Sequence, residues 1–338
     1  MNPYPDRIAQ LHGHLAARWS QRDTQATEIL LAALLPQSLT RMRRPWLVLE
    51  TDYLSRDTSD AWFSLGMPQT VQARSLAIPR VMRRDPGHEY IESILQERSR
   101  DVPGVFTDAE WRALQYAHGG WTKEPRANYH ILMSMCVRLR VAHPKGDAGV
   151  QVEREADRLE LARLTRRVLD SSHRTPRAST ALAVSAEGGV RARDVPKSLF
   201  YWCELLQKVS PAQQDWESLT GSLAAIARGI ALLYNDGRPP AWDASERVLR
   251  DSVPYATGWL MAEAAKAPAV GRTTYIKSGG DMMSHRRTVL ELRRLHREGV
   301  LLKRQGHKGV VGTVEPWKYR LGAADWHTLL DRDTRILF

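Results

Sequence analysis

Apolar residues recur every three or four positions along most of the chain, the spacing that places them on one face of an α-helix. The pattern predicts helices over Arg7–Trp19, Gln25–Leu35, Lys197–Val209, Trp216–Tyr234 and Tyr255–Lys266. The fold class is therefore predicted to be mainly α, with a multi-helix N-terminal region.

Three further helices are predicted between residue 107 and residue 169. Thr107 and Glu110 have the spacing of a capping box, in which each side chain bonds to the other residue's backbone N–H. Asn128–Val141 has apolar residues at helical spacing, and Val152–Leu169 interleaves charges of both signs, as solvated surface helices do. Trp46–Glu50 is the best candidate strand in this half of the chain.

The C-terminal pattern changes from a helix to a β-hairpin. Ser284 is a predicted N-cap, and Val289, Leu292 and Leu295 form an apolar stripe that leaves the arginines outside. Gly299 is predicted to end the helix, since glycine readily adopts the left-handed conformation needed there. The hairpin is predicted from a strand at Val300–Arg304, a tip at Gln305–Lys308 and a return at Val310–Val314, with an extension over Trp317–Leu321 left open.

Residues 284–302 resemble the recognition helix of the winged-helix superfamily running into its wing. In that resemblance Tyr255–Lys266 and Thr273–Ser278 are the first two helices, although Gly279-Gly280 makes the second helix short and its turn unusual. The resemblance covers about the last quarter of the chain and implies a C-terminal winged helix with a small β-hairpin. The superfamily includes repressors, replication initiators and complex subunits, so the fold alone does not fix a role.

The excess positive charge is concentrated in the same segment. The whole chain has 49 basic and 38 acidic residues, for a net charge of +11. Between Arg272 and Arg320 there are twelve cations and four anions. Clustered cations gain free energy near phosphates because condensed counterions are released. The sequence therefore predicts double-stranded DNA as the partner.

Docking like other winged helices would bring the first turn of the helix nearest to the base edges and the wing tip to the DNA backbone. The predicted DNA-binding residues are Thr273, Thr274, Lys277, Ser284, His285, Arg286, Arg287, Thr288, Arg293, Arg294, Lys303, Arg304, His307 and Lys308. Two other interpretations stay open: an arginine-rich helix face that is merely solvated, and a winged helix that binds only protein.

Four regions are predicted along the chain: a mainly helical domain at 1–170, a linker at 171–194, a helical bundle segment at 195–254 and the winged helix at 255–330. The linker prediction depends on a run rich in Ser, Thr, Ala, Gly and Arg. Residues 223–233 and 248–254 resemble the helical lid that precedes a winged helix in some AAA+ ATPases, although small residues at this spacing also arise from packing alone.

No catalytic motif is recognised in the sequence. It lacks the Gly-x-x-x-x-Gly-Lys-Ser/Thr loop that cradles nucleotide phosphates, zinc-ligand spacing of Cys and His, and a Gly-x-Ser-x-Gly elbow. Glu50 and Asp52 could anchor a nuclease metal, but surface carboxylates are the favoured interpretation. The prediction is a non-enzymatic protein with no cofactor and no metal.

A cytoplasmic location is expected, because Cys136 and Cys203 suit buried thiols and no apolar run is long enough to span a membrane. The first functional hypothesis is a transcriptional regulator, with a homodimer or a larger protein complex as its possible assembly. The alternative is a non-catalytic DNA-binding or scaffold subunit of a replication, mobile-element or defence nucleoprotein complex. A nuclease with an unrecognised site is the third.

Overall fold

The computed structural model of the protein describes residues 4–18, 24–35, 37–42, 45–51, 105–107, 136–141, 160, 163–169, 182–185, 189–210, 216–266, 270–271, 285–304, 318–322 and 325–330. The described part of the chain is mainly helical, which confirms the predicted class at that level.

The helices and strands follow the apolar pattern closely in most places. The helices are α1 (Tyr4–Arg18), α2 (Thr24–Leu34), α3 (Gln37–Thr40), α4 (Lys197–Val209), α5 (Trp216–Tyr234), α6 (Trp242–Asp251), α7 (Tyr255–Lys266), α8 (His285–Arg297) and α9 (Asp325–Leu329). The strands are β1 (Trp46–Thr51), β2 (Val105–Thr107), β3 (Cys136–Val141), β4 (Val270–Gly271), β5 (Leu301–Arg304) and β6 (Lys318–Leu321). Residues 163–169 are also helical.

The chain divides into two compact units whose boundaries differ from those predicted. The N-terminal unit comprises residues 1–200 and 212–249, and the C-terminal unit comprises residues 201–211 and 250–338. Helix α5, predicted to belong to a separate bundle segment, packs against α2 within the N-terminal unit. The apolar pattern within each helix does not indicate which distant helix it packs against.

The predicted linker at 171–194 is also packed where the structure describes it. Val184 and Val190 pair across an antiparallel bridge, and Ser185 donates its backbone N–H to the carbonyl of Gly189 at 2.7 Å. Leu182, Val184 and Val190 pack against a buried cluster of Met42, Ala224 and Ala225. The few valines and leucines in a polar stretch are thus enough to attach it to the core.

The α2–α5 contact is close because small residues face each other. A Cβ atom placed on Gly229 would lie 2.8 Å from the Cβ of Ala32 and 3.1 Å from its backbone. Gly221, two turns earlier in α5, has nothing within 4 Å of the same position. The two backbones can approach at Gly229 only because it lacks a side chain.

Gly229→Ala is expected to lower the free energy of unfolding by about 1–3 kcal/mol, because the added methyl group forces the helices apart. Gly221→Ala, the matched control in the same helix, should raise it by about 0.5–1 kcal/mol through its better helix propensity. Urea unfolding of both variants measures the difference. Equal effects of the two substitutions would contradict the close approach.

A three-stranded parallel sheet, with strand order β2-β1-β3, lies in the N-terminal unit. Strand β1 confirms the predicted strand, and it pairs with β3 from Trp46↔Cys136 to Thr51↔Val141. The helix predicted over Asn128–Val141 is wrong for its last six residues. There the alternation of Val137 and Leu139, both fully buried, with half-buried Arg138 suits a strand.

Strand β2 also departs from the predicted elements. Thr107, predicted to cap a helix, is its last residue and pairs with Leu49 of β1. The rest of that predicted helix lies outside the described residues.

The C-terminal unit contains an antiparallel sheet with strand order β4-β6-β5. Strands β5 and β6 pair from Leu301↔Leu321 to Arg304↔Lys318. The return strand is therefore the one left open as an extension, while the predicted return at Val310–Val314 lies outside the described residues. Tyr201 donates its hydroxyl to Asp325 Oδ2 at 2.6 Å, and this bond raises the pKa of the Tyr201 hydroxyl.

Helix α8 ends at Arg297, and the turn that terminates it contains Gly299, as predicted. The glycine has φ +74° and donates its N–H to the carbonyl of His296 at 3.1 Å, while Val300 donates to Leu295 at 2.9 Å. These two bonds form a Schellman motif, which satisfies carbonyls that the helix end would otherwise leave unpaired. The chain then passes directly into β5, so helix and sheet are joined by a fixed turn.

Candidate nucleic-acid interface

Helix α8 has a buried face that fixes which side chains point outward. Thr288, Leu292 and Leu295 recur at i, i+4 and i+7, and at most 1% of any of them is exposed. The sequence places Thr288 nearest to the base edges, and this prediction is wrong because its side chain belongs to the core side. Val289, predicted in the apolar stripe, is only half-buried.

The opposite face carries four exposed side chains in one line: Arg286, Leu290, Arg293 and Arg297. We call this set the outer stripe. Its spacing of i, i+4, i+7 and i+11 keeps all four on one side of the helix. The stripe runs about 16 Å along the axis at about 1.5 Å per residue. Three positive charges and one leucine therefore form a continuous exposed line.

Arg294 lies next to the outer stripe in sequence but bonds within the C-terminal unit. Its Nε and Nη2 atoms bond to the Glu291 carboxylate at 3.0 and 2.5 Å. Nη1 and Nη2 also donate to the carbonyls of Lys208 and Val209 at 2.7 and 2.8 Å. Only 17% of the Arg294 side chain is exposed. Its predicted outward placement is therefore wrong, while its contact with DNA stays a prediction.

The carbonyls that Arg294 binds belong to the last turn of α4, where a helix has no backbone donors of its own for them. A cation at that end is also favoured by the helix dipole. Glu291 in turn accepts a bond from the Thr257 hydroxyl of α7 at 2.6 Å. Arg294 and Glu291 thus connect α8 to both α4 and α7.

The sheet contributes an exposed pair of residues on the neighbouring strands β5 and β6. Leu302 of β5 and Arg320 of β6 are directly opposite each other, and both are exposed. Lys303, predicted to bind DNA, is instead half-buried and pairs with buried Tyr319. Strand alternation explains the difference, since neighbouring residues point to opposite faces of a sheet.

His296 connects the end of α8 to this sheet. Its Nδ1 lies 3.0 Å from the carbonyl oxygen of Leu301, and its ring packs edge-on against Tyr319 with centroids 6.5 Å apart. The bond holds the last turn of α8 against the first residue of β5. The orientation of the outer stripe is therefore tied to the sheet.

Of the predicted DNA-binding residues, the structure brings Arg286 and Arg293 together on the outer stripe. His285 and Arg287 lie in α8 and Arg304 lies in β5 by backbone position. The remaining predicted residues, Thr273, Thr274, Lys277, Ser284, His307 and Lys308, lie outside the described residues.

Arg297, Leu290 and Arg320 are exposed beside the predicted residues but are absent from the predicted set. The sequence places Arg297 on the outer face with the other arginines, because it follows Arg293 by four residues on a helix, but does not include it among the DNA-binding residues. Arg320 required the register of β5 with β6, which the sequence left open.

Comparison with protein-family models, curated proteins and solved structures finds no match to this chain. Within the described ranges, no helix is both long and apolar enough to cross a bilayer. Over the same ranges, no group of three His, Cys, Asp or Glu side chains is placed to hold a metal ion.

Proposed function

We propose that this protein binds double-stranded DNA through the C-terminal unit, without catalysis, and acts as a transcriptional regulator. The observation that carries the proposal is the outer stripe, in which Arg286, Arg293 and Arg297 are exposed on one line of α8. An α-helix with its side chains fits into the major groove of B-form DNA, which is about 12 Å wide. Arginines on the facing side can then reach phosphates and guanine edges.

The order of elements in the C-terminal unit supports a winged helix. Helix α7 is followed by β4, then α8, β5 and β6, and β6 lies between the other two strands. We propose α8 as the recognition helix and β5 and β6 as the strands of the wing.

The position of Leu290 suits base recognition. It lies between Arg286 and Arg293 on the outer stripe, and 54% of it is exposed. Large apolar side chains can contact the methyl group of thymine in the major groove, while flanking arginines bind the backbone or guanines. A leucine flanked by arginines therefore favours binding in a DNA groove over a helix face that is merely solvated.

The association should depend steeply on salt. With three arginines at phosphates, the logarithm of the binding constant should fall against the logarithm of salt concentration with a slope of about −3. Fluorescence anisotropy with the full chain and a labelled random-sequence duplex measures this slope. A binding constant that does not change with salt, or no binding at low salt, would contradict the proposal.

A second candidate, a subunit of a nucleoprotein complex, is favoured by the exposed leucines Leu290 and Leu302. Exposed apolar side chains beside cations also suit a protein partner. Selection of bound fragments from random duplex DNA by the full-length protein separates the two candidates. A regulator should enrich a short defined site, palindromic if the protein is a dimer, whereas a complex subunit should enrich none.

A further inference from the structure

Arg228 is a buried cation in the middle of α5, in the N-terminal unit. Only 4% of the residue is exposed, and its buried Nε and Nη1 atoms have no hydrogen-bond partner among the residues that the structure describes. A buried charge is costly unless it is paired, because it has lost its hydration. The guanidinium of Arg228 therefore has buried N–H donors that could bind an acceptor.

The helix around Arg228 supplies no acceptor for it. The residues three and four positions away, Ala224, Ala225, Ala231 and Leu232, are all apolar and buried. The backbone carbonyls of a helix interior are already bonded to N–H groups one turn later. An acceptor for Arg228 must come from elsewhere.

A second arginine lies close enough for its charge to act on Arg228. Arg41 is exposed, directly follows α3, and adopts a left-handed conformation with φ +56°. Helix α3 packs against α5, and Thr40 Oγ1 accepts the Met42 N–H at 3.3 Å across this turn. Burial and then the Arg41 charge lower the pKa of the Arg228 guanidinium. Met42, the residue after Arg41, is buried against Ala224 and Ala225, one turn before Arg228 in α5.

We propose that Arg228 and Arg41 form an anion site in the N-terminal unit that binds a phosphoryl group. An anion there would pair with the buried guanidinium and relieve the repulsion between the two cations. The planar guanidinium presents N–H donors that match phosphate oxygens. The burial of Arg228 favours a small ligand that enters the site, such as free phosphate or the phosphate end of a nucleotide. The residues of the site belong to the N-terminal unit, and the proposal does not depend on DNA binding by the outer stripe.

The test is thermal unfolding of the full-length protein with inorganic pyrophosphate, compared with sodium chloride of equal ionic strength. Pyrophosphate should raise the melting temperature by several degrees, since a ligand that binds only the folded state stabilises it. Arg228→Met should abolish this rise. Arg167→Met, which removes an exposed arginine of the same unit, should keep it.

A short single-stranded oligonucleotide provides the second arm. A rise that Arg228→Met abolishes assigns the site to small phosphates if pyrophosphate alone produces it, and to a nucleic-acid backbone if the oligonucleotide produces it. An oligonucleotide rise that persists in Arg228→Met belongs to the outer stripe. If neither raises the melting temperature of the unsubstituted protein, the proposal is wrong.

The melting temperature without ligand distinguishes an anion site from a structural role. Because Arg228→Met removes an unpaired buried charge and keeps much of the side-chain volume, it should leave the ligand-free melting temperature unchanged or raise it. A lower ligand-free melting temperature, together with an undiminished pyrophosphate effect, would show that Arg228 serves folding and would overturn the proposal.

Discussion

Replacing Arg286, Arg293 and Arg297 together by alanine is expected to weaken binding to a random-sequence duplex by about 100-fold. Each arginine that contacts DNA contributes about 1 kcal/mol or more, and about 1.4 kcal/mol corresponds to a factor of ten. The salt dependence should flatten at the same time, because about 0.9 counterions are released per neutralised phosphate. Fluorescence anisotropy at several salt concentrations measures both effects. The side chains are exposed, so the fold should be unaffected.

A matched control removes the same charge from a different surface. Arg163, Arg166 and Arg167 are exposed on the helical segment at 163–169 in the N-terminal unit. Replacing these three by alanine gives the same net charge as the outer-stripe variant. If it weakens binding equally, the attraction is a property of total charge and the outer stripe is not the interface.

The second large effect is expected on stability. Arg294→Ala should destabilise the C-terminal unit by about 3 kcal/mol, because it leaves the Glu291 carboxylate and two α4 carbonyls without their bonds to the guanidinium. Amide hydrogen exchange of peptides from α8 and β5 reports this loss. Amide hydrogens that exchange only when the whole C-terminal unit opens should exchange about 100-fold faster than in the unsubstituted protein.

The neighbouring arginine is the natural control. Arg293→Ala removes an exposed side chain from the same helix and should change stability by less than about 0.5 kcal/mol. The double variant Glu291→Leu with Arg294→Leu should be less destabilised than Arg294→Ala, because no carboxylate is left without its arginine. Similar exchange rates for Arg293→Ala and Arg294→Ala would contradict the assigned role of Arg294.

The helices were predictable because their signals are local. The bounds of α4, α5 and α7 follow from the spacing of apolar residues, and the end of α8 follows from Gly299. Each of these signals lies within the element it describes. The residues within each helix and at its end were therefore enough to predict its bounds.

The errors concern pairings between distant parts of the chain. Strand β3 forms because Val137 and Leu139 are buried in a sheet with β1, about ninety residues earlier, as the register shows. Helical spacing of Ile131, Met135 and Leu139 gave the opposite prediction, since a short apolar run fits both periods.

The candidate interface was predicted only in part for the same reason. Arg293 and Arg294 are adjacent, and sequence alone placed both outside. The difference between them arises from two carbonyls at the end of α4, which the chain brings next to α8 from more than eighty residues away. Thr288 was misplaced because its small side chain can face either a core or a solvent.

The fixed turn between α8 and β5 has a thermodynamic consequence. With the last turn of α8 closed by the Schellman bonds and anchored to α4 by Arg294, the outer stripe is assembled during folding, before any ligand arrives. Association then needs no disorder-to-order transition in α8. A preorganised surface of this kind avoids the large heat-capacity change and the entropy loss that accompany coupled folding and binding.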